Sequence, residues 1–265
     1  MAIRASILCR VGVGLGLALP SAVNAASINL TTVADASVRG GSANVLNNYG
    51  GVTALDVKYD PGDVSFNRKA YIRFDTWMIA SYDAGATATL KLSTNGAGAG
   101  HTFDVWAIND LLADSGSGST FQYGEFWNEG SGLGTNTLET DLHWNNAPAN
   151  NNTGNTLNAA SATLLGAFSI PSAVSTVTFN DPDLLAAFMG DTNKTVTLVI
   201  VRTTTASQLP TVAADEHATL LTPTVEFTNV TVAPLPGIAL GAIALFGGMG
   251  ALRPRRNRGR GSVGV

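Results

Sequence analysis

Apolar and polar residues alternate in short runs through the middle of this 265-residue chain. "TALDVKY" (53–59), "KAYIRFD" (69–75), "ATATLKLST" (86–94), "HTFDVWAI" (101–108), "VSTVTF" (174–179), "TVTLVIVRT" (195–203) and "TLLTPTVEF" (219–227) are rich in Val, Thr and aromatic residues. Many keep the two-residue period that sends successive side chains to opposite faces of a strand. The separators, such as "STNGAGAGH", "SGSGST" and "NNAPANNNTGN", supply turn and loop chemistry. A helical period stands out only in "DPDLLAAFMGD" (181–191), where Asp181 is placed to cap a short helix ending near Gly190. The pattern predicts an all-β body of about eight to ten strands, folded as a β-sandwich or jelly roll, with no internal repeat.

The two ends break this pattern. Residues 1–25 have a basic start (Arg4, Arg10), an apolar stretch from Val11 to Leu19, a breaker at Pro20, and Val23 and Ala25 at the −3 and −1 positions of a cleavage site. That is the three-part form of a secretory signal peptide, cut after Ala25, and its apolar stretch falls short of the ~20 residues that span a bilayer. Cys9, the only cysteine, would leave with it, so the body has no disulfide, thiol nucleophile or thiolate metal site. Residues 233–258 read "APLPGIALGAIALFGGMGALRPRRNR". Ile238–Leu252 is an uncharged run of about 22 Å as a helix, short for a bilayer core of about 30 Å. The arginines after it suit a stop-transfer end on the cytoplasmic side, with the body facing outwards.

Charge is segregated. Seven of the fifteen basic residues lie in the two ends, which leaves eight in the body against all nineteen acidic ones. A body this acidic argues against nucleic acid as partner. Five of the eight, Arg39, Lys58, Arg68, Lys69 and Arg73, cluster within 35 positions. In "KAYIRFD" the alternation sends Lys69, Tyr71, Arg73 and Asp75 one way and Ala70, Ile72 and Phe74 to the core; Asp56 and Lys58 likewise share a face opposite Leu55 and Val57. Two readings stay open. A face displaying Arg39, Lys58, Lys69 and Arg73 with Tyr71 would bind an acidic polysaccharide, cations pairing with uronate carboxylates and the ring packing on a sugar. Alternatively the same charges pair with Asp35, Asp56, Asp60 and Asp75 on an ordinary solvated sheet face, at about 0–1 kcal/mol each.

Phe121, Tyr123, Phe126 and Trp127 form an aromatic loop that either presents a sugar-stacking platform or tucks against the sandwich; Trp106 and Trp144 read as core or its edge. A Ca²⁺ ion would find oxygens in "DPGD" (60–63) or "NDPD" (180–183), although both also read as a turn or a helix cap. His101, His143 and His217 fit no metal-ligand spacing, and no nucleophile-elbow, P-loop or dinucleotide motif is present. Glu125, Glu129, Glu139 and Glu216 offer carboxylates for glycoside hydrolysis, but nothing in their spacing selects a pair. The reading is therefore non-catalytic.

"ADASVRGG", "NNYGG", "LDVKYD", "NRKAYIRFD", "ATLKLST", "LHWNNAP" and "TPTVEF", in this order, resemble the words of DNRLRE-type domains over about 34–228. The resemblance implies an extracellular β-sandwich over 26–232, of a kind some of whose members are carbohydrate-binding modules, and it implies a glycan site such as the basic face. Two departures stand out: "AADEHAT" keeps Glu216 but lacks the family's Arg, and residues 115–137 are an insert. Residues 233–260 resemble a PEP-CTERM sorting signal of the Val-Pro-Leu-Pro-Ala variant, carried by Pro234, Leu235 and Pro236 between Ala233 and Gly237, with 238–252 as its transmembrane helix. That resemblance implies signal peptidase and an exosortase-type membrane protease as processing partners and a Gram-negative host, with the tail an address rather than a permanent span. A single-pass anchor without processing is the alternative. The expectation is a secreted, surface-sorted protein that binds extracellular polysaccharide in a matrix or biofilm; its rival is an adhesive matrix protein with no sugar site.

Overall fold

The computed structural model describes residues 23–233, apart from 97–99, 135–139, 172 and 206–207. The sorting motif Pro234–Leu235–Pro236, the apolar run 238–252 and most of the signal peptide lie outside these residues. Among the described residues, no helix is long and apolar enough to cross a membrane.

Eleven strands and one helix are described: β1 (Val23–Thr31), β2 (Ala34–Arg39), β3 (Ala54–Asp56), β4 (Arg68–Asp75), β5 (Ile79–Thr94), β6 (Thr102–Ile108), β7 (Ala162–Ser169), β8 (Ser175–Phe179), α1 (Pro182–Gly190), β9 (Thr195–Arg202), β10 (Thr211–Ala213) and β11 (Thr224–Val232). They form two sheets, one in the order β1-β11-β5-β10-β3 with β8 also on β5, the other β2-β4-β9-β6-β7. This is the all-β sandwich that the alternation predicts. All seven expected strands are present, with shifted ends. The sequence pattern gave no expectation of β1, β7 or β10, and β2 was expected only from the resemblance that "ADASVRGG" carries. In β7 the Gly and Ala content and a register break opposite Val105 and Trp106 hide the period, and β10 has only three residues. β1 begins before the expected cleavage point after Ala25.

Between the sheets lies a core that includes Leu55, Val57, Ala70, Ile72, Phe74, Leu90, Phe103, Leu198, Ile200 and Phe227. The helix forms where expected. The Asp181 carboxylate accepts from Asp183 N at 3.0 Å, Pro182 occupies the first turn, and Leu184 and Phe188 are buried. Phe188 packs edge-on against Phe74 and Phe227.

A second core determines the architecture of the site. Ala34, Ala36, Val38, Tyr71, Val199 and Val201 cluster with Trp127, Leu142, Trp144, Ala147 and Leu157 on the opposite face of the β2-β4-β9-β6-β7 sheet. The covering residues come from the long β6–β7 connection, 109–161, whose described part has no β-strand and only isolated bridges at Ser115↔Gln122 and Asn150↔Leu157. β9, at the centre of that sheet, is buried at every position. A strand covered on both faces reads as a nearly continuous apolar run, as "TVTLVIV" does.

Candidate functional site

The words that carry the family resemblance hold the long connection onto the sheet. Asn48, of the "NNYGG" turn, donates to Glu129 O (2.6 Å) and Leu142 O (2.9 Å), and its Oδ1 accepts from Gly50 N and Gly132 N. Gly50 is required because a Cβ there would lie 2.3 Å from Glu129 O. In "HWNNAP", Asn146 accepts from His143 N and donates to Asp141 O, and Pro148 O accepts the Tyr71 hydroxyl at 3.1 Å.

Lys69 lies at the centre of this clasp. It is fully buried, and its Nζ donates to Asn150 Oδ1 (2.5 Å), Thr156 O (2.9 Å), and Asn151 O and Gly154 O (3.3 Å each), with the Trp144 ring 4.6 Å away. Burial pushes its pKa down to about 7, while the oxygens and the indole face favour the ammonium.

The five candidate glycan-face residues therefore do not share one open face. Lys69 and Tyr71 are sealed beneath 144–156, because the polar side of β4 is covered by a second core rather than by solvent. Arg39, at the end of β2, pairs with Asp56 at 2.7 Å and lies 3.7 Å over the Tyr49 ring; Asp56 also takes Arg68 at 2.5 Å. Lys58 follows β3, a strand of the other sheet, and lies over Phe66 at 4.5 Å. Arg73 stands five residues from Arg68, about 17 Å along β4. Of the anticipated acidic partners only Asp56 forms such pairs among the described residues.

Arg73 opens instead onto a cleft of about 450 Å³, lined also by Asp75, Trp77, Phe126, Trp127, Asn128, Asn193 and Thr195. Its Nη1 donates to Trp127 O, and the guanidinium lies 5.1 Å over the Trp127 ring. Burial lowers its pKa, while Asp75, Glu129 and Glu125 raise it, and a guanidinium stays charged at neutral pH. Trp127 itself is 1% exposed, its Nε1 bonded to Thr197 Oγ1 at 3.0 Å. Trp77 and Phe126, by contrast, are 68% and 61% exposed. The aromatic loop thus divides: Trp127 enters the core, Phe121 and Tyr123 pack edge-on against each other at 4.9 Å, and Phe126 faces out.

The turn between β4 and β5 presents Trp77. Thr76 O accepts from Ile79 N, and Thr76 N donates to Lys194 O (2.9 Å each). The Asp191 carboxylate takes Thr76 Oγ1 (2.8 Å) through one oxygen and the backbone N–H groups of Asn193, Lys194 and Thr195 through the other. It thereby ties the Trp77 turn to the opposite wall of the cleft. Asn193 is fixed by its own bond to Glu125 Oε2 at 2.6 Å. Trp77 escaped sequence reasoning because "TWM" follows a strand without periodicity; the only available signal was a Trp beside a turn.

A larger groove of about 490 Å³ lies between α1 and the β6–β7 edge, lined by Ala107, Ile108, Leu165, Ala186 and Ala187 with Asp110, Glu125, Asp183 and Asp191. It has no aromatic ring among its lining residues. The cleft at Trp77 combines flat rings with hydrogen-bonding groups, and a pyranose needs both: an aromatic face for its C–H side and polar partners for its hydroxyls.

The structure also joins carboxylates that the sequence left unpaired. One carboxylate oxygen from each of Asp35, Glu129, Asp215 and Glu216 lies within 4.8 Å of the others. Burial and mutual repulsion push Asp35 up to about 9, and burial is the largest cause that pushes Glu129 and Glu216 up to about 7. None of the four lines the cleft. Glu125 lies elsewhere, accepting from Leu111 N and Asn193 Nδ2, and Glu139 is outside the described residues. The two motifs offered for Ca²⁺ serve local structure: Asp60 accepts from Gly62 N and Asp63 N, Asp63 caps the short 3₁₀ turn at Val64–Phe66, and Asp181 caps α1.

Residues 26–120 match the model of carbohydrate-binding module family 96. The matched stretch runs from within β1 through β6 and includes the Trp77 turn; Phe126, Asn128 and Asn193 lie beyond it. No curated protein is matched by the chain. The similarity supports a carbohydrate-binding-module-like domain and points to binding rather than to a catalytic domain.

Proposed function

We propose that this protein is a non-catalytic polysaccharide-binding protein that seats a glycan in the cleft between Trp77 and Phe126. One observation carries the reading: two strongly exposed aromatic rings line a cleft with Arg73, Asp75, Asn128 and Asn193, in a chain that matches a carbohydrate-binding module model. With Asp75 beside Arg73, the cleft carries no net positive field, so the preference for acidic glycans expected from an open basic face loses its support. The signal peptide over 1–25 and the tail over 233–260 support secretion and sorting to a Gram-negative surface, with signal peptidase and an exosortase-type protease as processing partners and an extracellular matrix or biofilm as destination.

Affinity electrophoresis of the full chain in gels containing neutral or uronate polysaccharides tests the binding. Covering about 100 Å² of the Trp77 indole at about 25 cal/mol per Å² contributes about 2.5 kcal/mol, so Trp77→Ala should weaken binding roughly 70-fold. Retardation equal in wild type and a Trp77→Ala/Phe126→Ala double variant would reject the cleft. An absence of retardation by every polysaccharide would favour the adhesive matrix protein, a reading consistent with the internal contacts that occupy Arg39, Lys58 and Lys69.

A further inference from the structure

We propose that Asp35, Glu129, Asp215 and Glu216 form a binding site for one divalent cation of the hard, oxygen-ligated class represented by Ca²⁺. Four carboxylate oxygens mutually within 4.8 Å fit on a sphere around one ion. Calcium–oxygen bonds of about 2.4 Å place opposite ligands about 4.8 Å apart.

An independent observation points to a ligand. Asp35 is fully buried, and among the described residues its Oδ1 has no hydrogen-bond partner; Asp215 Oδ1 is also buried without one there. Buried carboxylate oxygens are ordinarily satisfied, and a pair left open beside two further carboxylates calls for a cation. The backbone holds the cluster in place around them: Asp35 N donates to Glu129 Oε1 (3.1 Å), and Asp215 N donates to Asp35 Oδ2 (2.9 Å). These bonds fix the carboxylates from three separate parts of the fold, namely β2, the long connection and the turn after β10. Arg73 offsets part of the charge of Glu129, and its Nη1 is engaged by Trp127 O.

Carboxylates, with no sulfur or imidazole in the cluster among the described residues, favour Ca²⁺ over Zn²⁺, and flexible oxygen coordination favours it over Mg²⁺. The ion would staple the long connection to the edge of the sandwich. Glu129 follows Trp127 and Asn128 directly, so the same staple would hold one wall of the cleft.

The test uses the full chain stripped with EDTA and then titrated with CaCl₂ at neutral pH, read by calorimetry and thermal unfolding. One ion per chain should bind, and saturation at about 100 times Kd should raise Tm by about 5–10 °C. MgCl₂ should give a smaller rise. Asp35→Asn should abolish the Ca²⁺-dependent rise. Should that variant fail to fold, the exposed Glu216→Gln should not lower the metal-free Tm, since it removes a repelling charge, and should bind Ca²⁺ at least about tenfold more weakly. No heat and no Tm change at 10 mM CaCl₂, or a rise that Glu216→Gln leaves intact, overturns the site. Neither readout depends on whether a glycan binds.

Discussion

Replacing Lys69 by Met tests the covering of the sheet most directly. Met replaces the aliphatic stem, one atom shorter, but removes a cation held by four oxygens, two of them close, Asn150 Oδ1 at 2.5 Å and Thr156 O at 2.9 Å. Asn150 has no easy alternative, because its Nδ2 is engaged by Trp144 O and Asn152 Oδ1. Each buried acceptor left unsatisfied costs about 1–3 kcal/mol, partly offset by no longer desolvating an ammonium. A net loss of about 3 kcal/mol follows for the two close bonds, equivalent to a Tm about 6–12 °C lower. Urea unfolding followed by tryptophan fluorescence measures it, since Trp144 lies over the ammonium. The pH dependence gives a second reading. With Lys69 pushed down to about 7 in the folded protein and near 10.5 when unfolded, the unfolded chain holds the extra proton between these values. Wild-type stability therefore rises with pH across that window, by up to about 1.4 kcal/mol per unit, and the gap to Lys69→Met should widen from pH 7 to pH 10. A loss below about 1 kcal/mol, or a gap that stays flat with pH, would refute the reasoning.

Two further outcomes follow from the same geometry. Asp56→Asn removes the shared partner of Arg39 and Arg68 and leaves two guanidiniums facing each other; because both are partly exposed, a loss of about 2 kcal/mol in urea unfolding is expected, and no measurable loss would contradict the pairing. Glu125 is pushed up to about 7 by burial, so it holds its proton more tightly folded than unfolded, and its stabilising contribution, full below about pH 4.5, is lost as pH rises through 7. Glu125→Gln should flatten that part of the stability profile relative to wild type, and identical slopes would show that the carboxyl is well solvated.

Legibility in the sequence followed the range of the interactions. Alternation in 69–75 and 53–59 identified Ile72, Phe74, Leu55 and Val57 as core, and they are. The cap at Asp181 is a local bond between neighbours and was equally readable. Trp127 and Phe126, adjacent in the chain, have opposite fates, because one meets Thr197 across the sheet and the other meets no core. The cluster of Asp35 and Glu216 joins residues 181 positions apart, and no spacing rule reaches that far.

Alternation by itself therefore determined the strands, the sandwich and which side of each strand faces the first core, because side-chain direction in a strand has a period of two whatever surrounds it. It could not determine what lies against the other side. Whether Lys69, Tyr71 and Arg73 meet water, a ligand or the chain itself depends on where residues 109–161 settle. That is fixed by distant partners such as Asn48 and Trp144. The tertiary structure converted a polar strand face into a second core, because several oxygens of the covering loop converge on the buried Lys69 ammonium, and it left Trp77 exposed beside Arg73 in the cleft.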